Sequence, residues 1–131
     1  MKERLHDRHF SLEEALKFLT RLHALVRKLV ELKRELDQKG WNVYRHQYFG
    51  GRGPNGDRPY PPEVNTVITL VRELDTHGVL LRDMDRGLID FPHLRVDSEE
   101  VYLCWMLGED SISYWHRVEE GCAGRRHVSE L

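Results

Sequence analysis

Between Ser11 and Gln38, apolar residues return at every third or fourth position without a miss: Ala15, Phe18, Leu22, Leu25, Leu29, Leu32 and Leu36. At 3.6 residues per turn, that spacing stacks the side chains along one helix face. A second stripe of Leu12, Leu16, Leu19, Val26 and Val30 runs beside it. Together they are wider than a pure coiled-coil seam, so the helix is expected to pack against two neighbours. Its start is written as a capping box. In Phe10-Ser11-Leu12-Glu13-Glu14 the Ser11 hydroxyl can accept from the Glu14 N–H while the Glu14 carboxylate reaches back to the Ser11 N–H. The acidic pair Glu13 and Glu14 also suits the positive end of the helix, and Gly40 is expected to end it.

Such a helix is about 42 Å long. A compact chain of 131 residues is about 36 Å across. One monomer can hardly cover both stripes from end to end, and a homodimer is expected on that ground.

Pro61-Pro62-Glu63 opens a second helix over 62–77, with Val64, Val67, Val71 and Leu74 on its apolar face and Gly78 as its stop. The stretch 41–60 between the helices reads as a flexible loop. Its Gly50–Gly56 run lacks the Gly-Lys-Ser/Thr ending of a phosphate-binding loop. Tyr44, Arg45, His46, Tyr48 and Arg52 resemble a single-strand nucleic-acid surface only loosely. From Val79 the apolar period shortens toward two. Strands are expected at Val79–Asp83, Leu88–Phe91, Val101–Leu107 and Ile112–Val118, within a sheet half spanning 79–118. An irregular tail, 119–131, closes the chain. The expected fold is one α+β domain over 1–131, a long helical hairpin packed on an antiparallel meander of three to four strands.

Bulk properties exclude some function classes. A net charge of −2 lacks the basic excess of most nucleic-acid binders. The charged start, Met1–His9, has no apolar run, and no later run approaches the ~20 residues of a bilayer span. No membrane association is expected. Cys104 and Cys122 are too few for a disulfide framework, so both read as reduced thiols of a cytoplasmic protein. The eight histidines show no HExxH spacing.

A tight turn about Glu109-Asp110 would set Leu107 opposite Ile112, Trp105 opposite Tyr114 and Leu103 opposite His116. Tyr102, Cys104, Met106 and Trp115 would then share the other face. Two consequences follow. Cys104 and His116 would lie on opposite faces, which argues against a Cys/His metal site or nucleophile pair. Trp105 and Trp115 would also be separated, leaving Tyr102, Met106 and Trp115 on the face away from the helices as an interface or pocket wall, with Trp105 a further candidate. Asp90 stands mid-strand, where aspartate is unfavourable, on the expected face of Trp105 and Tyr114. A carboxylate there needs an Arg, His, Tyr hydroxyl or backbone N–H partner. The Gly121–Arg126 segment could offer N–H groups and guanidinium charge to an anion, or be a solvated tail.

Ser11-Leu-Glu-Glu-Ala15, Gly87-Leu-Ile-Asp-Phe-Pro92, Val101-Tyr-Leu-Cys-Trp-Met-Leu-Gly-Glu109, Trp115-His116 and Gly121-Cys-Ala-Gly-Arg125 together resemble a prokaryotic domain family of unknown function. Its members have a leucine-rich helical front and a sheet-forming back, and the resemblance covers nearly the whole chain. The family pattern has Phe where Cys122 stands, and a shorter, less aromatic loop than Trp41–Tyr60. The resemblance supplies no reaction. It does imply that Asp83, Asp90, Glu109, His116 and Arg125 belong to the shared pattern, which makes them the candidate catalytic residues. Three function classes therefore stand. The first is a non-catalytic dimeric interaction module. The second is a small-molecule or metal-dependent enzyme using Asp90, Glu109, His116 and Arg125, with Asp90 and His116 the metal-ligand candidates and no cofactor indicated beyond a divalent ion. The third is nucleic-acid binding. Convergence of the four side chains into one cleft separates the second from the first.

Overall fold

The computed structural model describes residues 4–43, 47–48 and 61–131. Helix α1 spans Leu12–Gln38, and its capping box forms as expected, Glu14 N–H to Ser11 Oγ at 3.0 Å and Ser11 N–H to Glu14 Oε1 at 2.9 Å. A short pair of strands follows, β1 (Trp41–Asn42) and β2 (Gln47–Tyr48). Helix α2 spans Pro62–Thr76 and packs along α1. The chain then builds an antiparallel sheet in sequence order: β3 (Leu80–Asp83), β4 (Leu88–Leu94), β5 (Glu100–Met106), β6 (Tyr114–Arg117) and β7 (Arg126–His127). The fold class is α+β, as expected. The sheet has one strand more than anticipated, because the tail is not wholly irregular. Residues 122–124 make a 3-10 turn and Arg126–His127 then pairs with Tyr114–Trp115. The Gly50–Gly56 run and Tyr44, Arg45, His46 and Arg52 lie outside the described residues. No helix among the described residues is long and apolar enough to cross a membrane.

The β5–β6 register is one residue away from the expected one. Leu103 pairs with Trp115, Tyr102 with His116 and Cys104 with Tyr114. The connection is not a two-residue turn. It runs over 107–113 and is closed by its own residues. Glu109 N–H donates to Met106 O, its Oε1 accepts from Met106 N–H at 2.8 Å, and Trp105 Nε1–H donates to Glu109 O at 3.0 Å. Side chains alternate with period two, so this slip moves every β6 residue to the opposite face. Val101, Leu103, Trp105 and Trp115 now share the face toward the helices with Ile89 and Phe91, all fully buried. The two tryptophans are core residues. They are neither separated nor a pocket wall.

Helix α1 lies across that face. His23 rests on the Trp105 ring at 5.6 Å between centroids, and Val26 and Val30 meet Gly87. Between them, α2, β1 and the sheet bury Ala15, Leu19, Leu22, Val26, Leu29, Val30, Leu32 and Leu36. Phe18 and Leu25 are half-buried. Leu12 and Leu16, at the start of the second stripe, are half-buried too, so one chain covers most of both stripes.

Candidate functional site: the outer face of the sheet

The opposite face carries Asp90, Tyr102, Cys104, Tyr114 and His116. Aspartate mid-strand is costly unless it is satisfied, and here it is satisfied twice. Asp90 Oδ2 accepts from Arg82 Nε at 2.9 Å, and both carboxylate oxygens lie 3.0–3.1 Å from His116 Nε2. Arg82 lies two residues after Leu80, the cross-strand partner of Asp90, so strand alternation places it on this face. The Arg82 guanidinium also stacks over the Tyr102 ring, 4.9 Å from its centroid.

Both ring nitrogens of His116 face acceptors. Nδ1 lies 2.9 Å from the Arg117 carbonyl oxygen, which can only accept, so Nδ1 carries a proton. Nε2 is then the nitrogen turned to Asp90. Burial disfavours the imidazolium, but the Asp90 hydrogen bond and the Arg117 carbonyl outweigh it and hold the His116 pKa above its ordinary value.

Cys104 pairs directly with Asp90 across the strands and is fully buried. The 3-10 turn of the tail folds back over the face and brings Cys122 Sγ to 3.0 Å from Cys104 Sγ. Burial, then the hydrogen bond to Cys122, push the Cys104 thiol far up. Asp90, Cys104 and His116 each offer one donor atom, and these lie within 4.8 Å of one another. A cavity of about 270 Å³ opens beside them, with Arg82, Asp90, His116, Glu120 and Cys122 in its wall.

The expected candidates divide. Asp90 and His116 converge. Arg125 closes the far side: its guanidinium sits beside Cys104 and Cys122, 3.0 Å from Glu109 Oε2 and 4.1 Å over the Tyr114 ring. Glu109 is the cap of the β5–β6 connection and the counter-ion of Arg125, and it does not line the cavity. Asp83 is a turn cap. Its Oδ1 accepts from the N–H groups of Asp85 and Arg86, and its Oδ2 pairs with Arg86 at 2.9 Å, an interaction that lowers its pKa. Asp90 shares its face with Tyr114 but not with Trp105, which faces the core beside Ile89. Of the expected pocket-wall residues, Tyr102 and Met106 do lie on this face. The opposite-face placement of Cys104 and His116 was wrong, and with it the objection to a joint site.

Arg82 and Cys122 were not anticipated as partners. Arg82 had a signal: Arg82 and Asp90 flank the Met84–Gly87 turn, so paired strands bring opposite charges together. Cys122 had none, since its approach depends on where the tail folds.

The N-terminal segment covers another part of this face. His6 Nε2 lies 2.6 Å from the Tyr102 hydroxyl, and Glu100 accepts from the N–H groups of Leu5 and His6 and from His9 Nε2. Tyr102 thereby links this segment to Arg82 and the His116 ring, which lies 5.4 Å away.

Comparison with curated proteins and with solved structures returns no match. Residues 8–128 do match a family described as an uncharacterized conserved protein family, and the span covers both helices and the whole sheet. The chain that holds Arg82, Asp90 and His116 together on its outer sheet face therefore belongs to the DUF2203 family.

Proposed function

We propose that the chain acts on a small anionic molecule in the outer-face cavity, with Asp90 and His116 as its reactive pair. One observation carries this. Among the described residues, three polar or charged residues are buried, namely Lys33, Asp90 and His116, and two of them meet in the wall of the same cavity. Burying such groups is unfavourable for folding unless they are paired, and strongly coupled titratable pairs beside a cleft mark reactive sites. Arg82 gives the cavity its sign. Its Nε holds Asp90 while its side chain stays 40% exposed, so the outer edge of the guanidinium is open to an incoming carboxylate or phosphate. The fixed Nδ1–H leaves His116 Nε2, backed by Asp90, to exchange a proton or share a cation with the bound molecule.

A dimeric interaction module has less support, because most of the α1 stripes is covered and the large apolar side chains left exposed among the described residues are Leu5 and Val96. Nucleic-acid binding has less still. The tail arginines are paired, Arg125 with Glu109 and Arg126 with Glu120.

The test is NMR shift mapping with inorganic phosphate and acetate as probes. Saturable shifts are expected at Arg82, Asp90 and His116, and they should disappear in Arg82→Ala and His116→Gln. No saturable shift with either probe, or shifts confined to other surfaces, would overturn the assignment.

A further inference from the structure

We infer that Asp90, Cys104 and His116, completed by Cys122, form a binding site for a divalent transition metal ion of the zinc class. The site deepens the function proposed above by naming a cofactor for the same cavity. It rests on that reading only for the ion's use in turnover, not for its binding.

Four observations converge. First, the donors are of the right kind and close together. One oxygen, one sulfur and one imidazole nitrogen lie within 4.8 Å of one another, and a second sulfur lies 3.0 Å from the first. Two thiolates, an imidazole and a carboxylate are a zinc-type donor set. Tetrahedral zinc with bonds of about 2.3 Å to sulfur spaces its two sulfurs at about 3.8 Å. The thiols therefore need to part by less than ~1 Å, within reach of side-chain rotation.

Second, the imidazole is prepared as a ligand. Nδ1–H donates to the Arg117 carbonyl, which leaves Nε2 facing the Asp90 carboxylate. Metal-binding histidines are held in just this way by a backbone carbonyl on the other ring nitrogen.

Third, Asp90 has an outer partner that a bound ion does not displace. Arg82 occupies Oδ2, which leaves Oδ1 for the ion. Fourth, the charges balance. A divalent ion with two thiolates and one carboxylate carries one net negative charge. Two guanidinium groups face it, Arg82 on the carboxylate and Arg125 beside the sulfurs, and Glu109 on Arg125 brings the sum to zero. Without an ion, Nε2 must carry a proton to face the carboxylate. With one, the ion takes that proton's place and both thiols ionise as they bind.

The Cys104–Cys122 approach has a rival account, a redox pair that closes to a disulfide. The donor count favours the ion, since a disulfide would use neither the aimed Nε2 nor Asp90.

The experiment uses the full chain, reduced and stripped with a chelator, then titrated with Co²⁺ and followed by absorption, with Zn²⁺ stoichiometry read by native mass spectrometry. The expected result is one ion per chain. Bound Co²⁺ should show a sulfur-to-metal charge-transfer band and the intense visible bands of tetrahedral cobalt. Cys104→Ser and His116→Gln should weaken binding by more than about 100-fold, the upper end of what losing an outer partner costs. Cys122→Ser should keep the ion but halve the charge-transfer intensity. Failure of the reduced wild-type protein to bind one equivalent overturns the inference, even where phosphate still shifts His116. A bound ion without the sulfur band overturns it as well. Stoichiometric binding with no anion response in the cavity leaves the metal site standing and removes the functional proposal instead.

Discussion

Replacing Gly87 by alanine should cost far more than the same change at Gly40, and the contrast isolates a packing contact. Both glycines have positive φ, +66° and +77°, so each substitution forces a methyl-bearing residue into the left-handed region. That conformation costs about 1–2 kcal/mol, less the 0.4–1 kcal/mol or so gained from a stiffer unfolded chain. These contributions are common to both sites. The surroundings differ. A Cβ at Gly40 meets nothing within 4 Å. At Gly87 it would lie 2.8 Å from Leu107 Cβ, 2.9 Å from Val26 Cγ1 and 3.1 Å from Val30 Cγ2. Leu107 cannot yield by rotating a side chain, because the clash is at its Cβ and its N–H is hydrogen-bonded to Gly87 O at 3.0 Å. The end of β5 must shift, or α1 must lift from the sheet. Forcing one methyl into such a contact costs about 1–3 kcal/mol. Gly40→Ala should therefore destabilise by about 1 kcal/mol or less, and Gly87→Ala by about 2–4 kcal/mol. For a chain of this size the latter lowers Tm by roughly 10 °C. Urea unfolding of the two variants beside the wild type gives the comparison. If Gly87→Ala is no more destabilised than Gly40→Ala, the close approach of α1 to the β3–β4 turn is wrong.

Two further outcomes follow from the ion pairs. Burial raises the Glu100 pKa, but the N–H groups of Leu5 and His6, together with His9, more than offset it, and its folded value lies below that of a free carboxylate. Its contribution to stability is thus complete above the ordinary carboxylate range and is lost as pH falls through the folded value. The protection of the Leu5 and His6 amides, taken relative to intrinsic exchange at each pH, should fall in acid, and Glu100→Gln should remove that pH dependence. An unchanged profile in the variant would refute the assignment. Lys33 is buried but pairs with Asp37 at 2.6 Å and Asp85 at 2.7 Å, whose side chains are 42% and 56% exposed. Those carboxylates can be solvated when the ammonium is removed. Lys33→Met, which keeps the apolar stem, should therefore change stability by less than about 1 kcal/mol in chemical denaturation. A loss of 3 kcal/mol or so, the cost of breaking a buried pair, would show that the network matters more than its exposure implies.

Helix α1 was legible almost to the residue. Its signals are local: a capping box within four residues and an apolar period that repeats seven times before Gly40. The strands at Leu80–Asp83 and Leu88–Leu94 and the α+β class followed from the change of period after Gly78. Asp90 and His116 stood out because a polar residue in an apolar strand is conspicuous wherever the strand lies. The site was harder. Asp90, Cys104 and His116 are far apart in sequence, and their meeting depends on strand register, where one residue of slip inverts a face. One clue was available. Requiring both Trp105 and Trp115 to be buried selects the observed register, since their side chains must then point the same way. The hydrogen bonds that close the β5–β6 connection were not available, and neither was the return of the tail that brings Cys122 to Cys104.

The sequence by itself thus determined the long helix, the order of helices before sheet, and which polar residues stand out in the sheet half, because helix caps and apolar periods act over a few neighbouring residues. Only the tertiary structure decided that most of both helix stripes is covered within one chain. It alone decided, too, that Arg82, Asp90, Cys104, His116 and Cys122 meet at one cavity. Those outcomes rest on strand register and the path of the tail, which are fixed by contacts between residues distant in the chain.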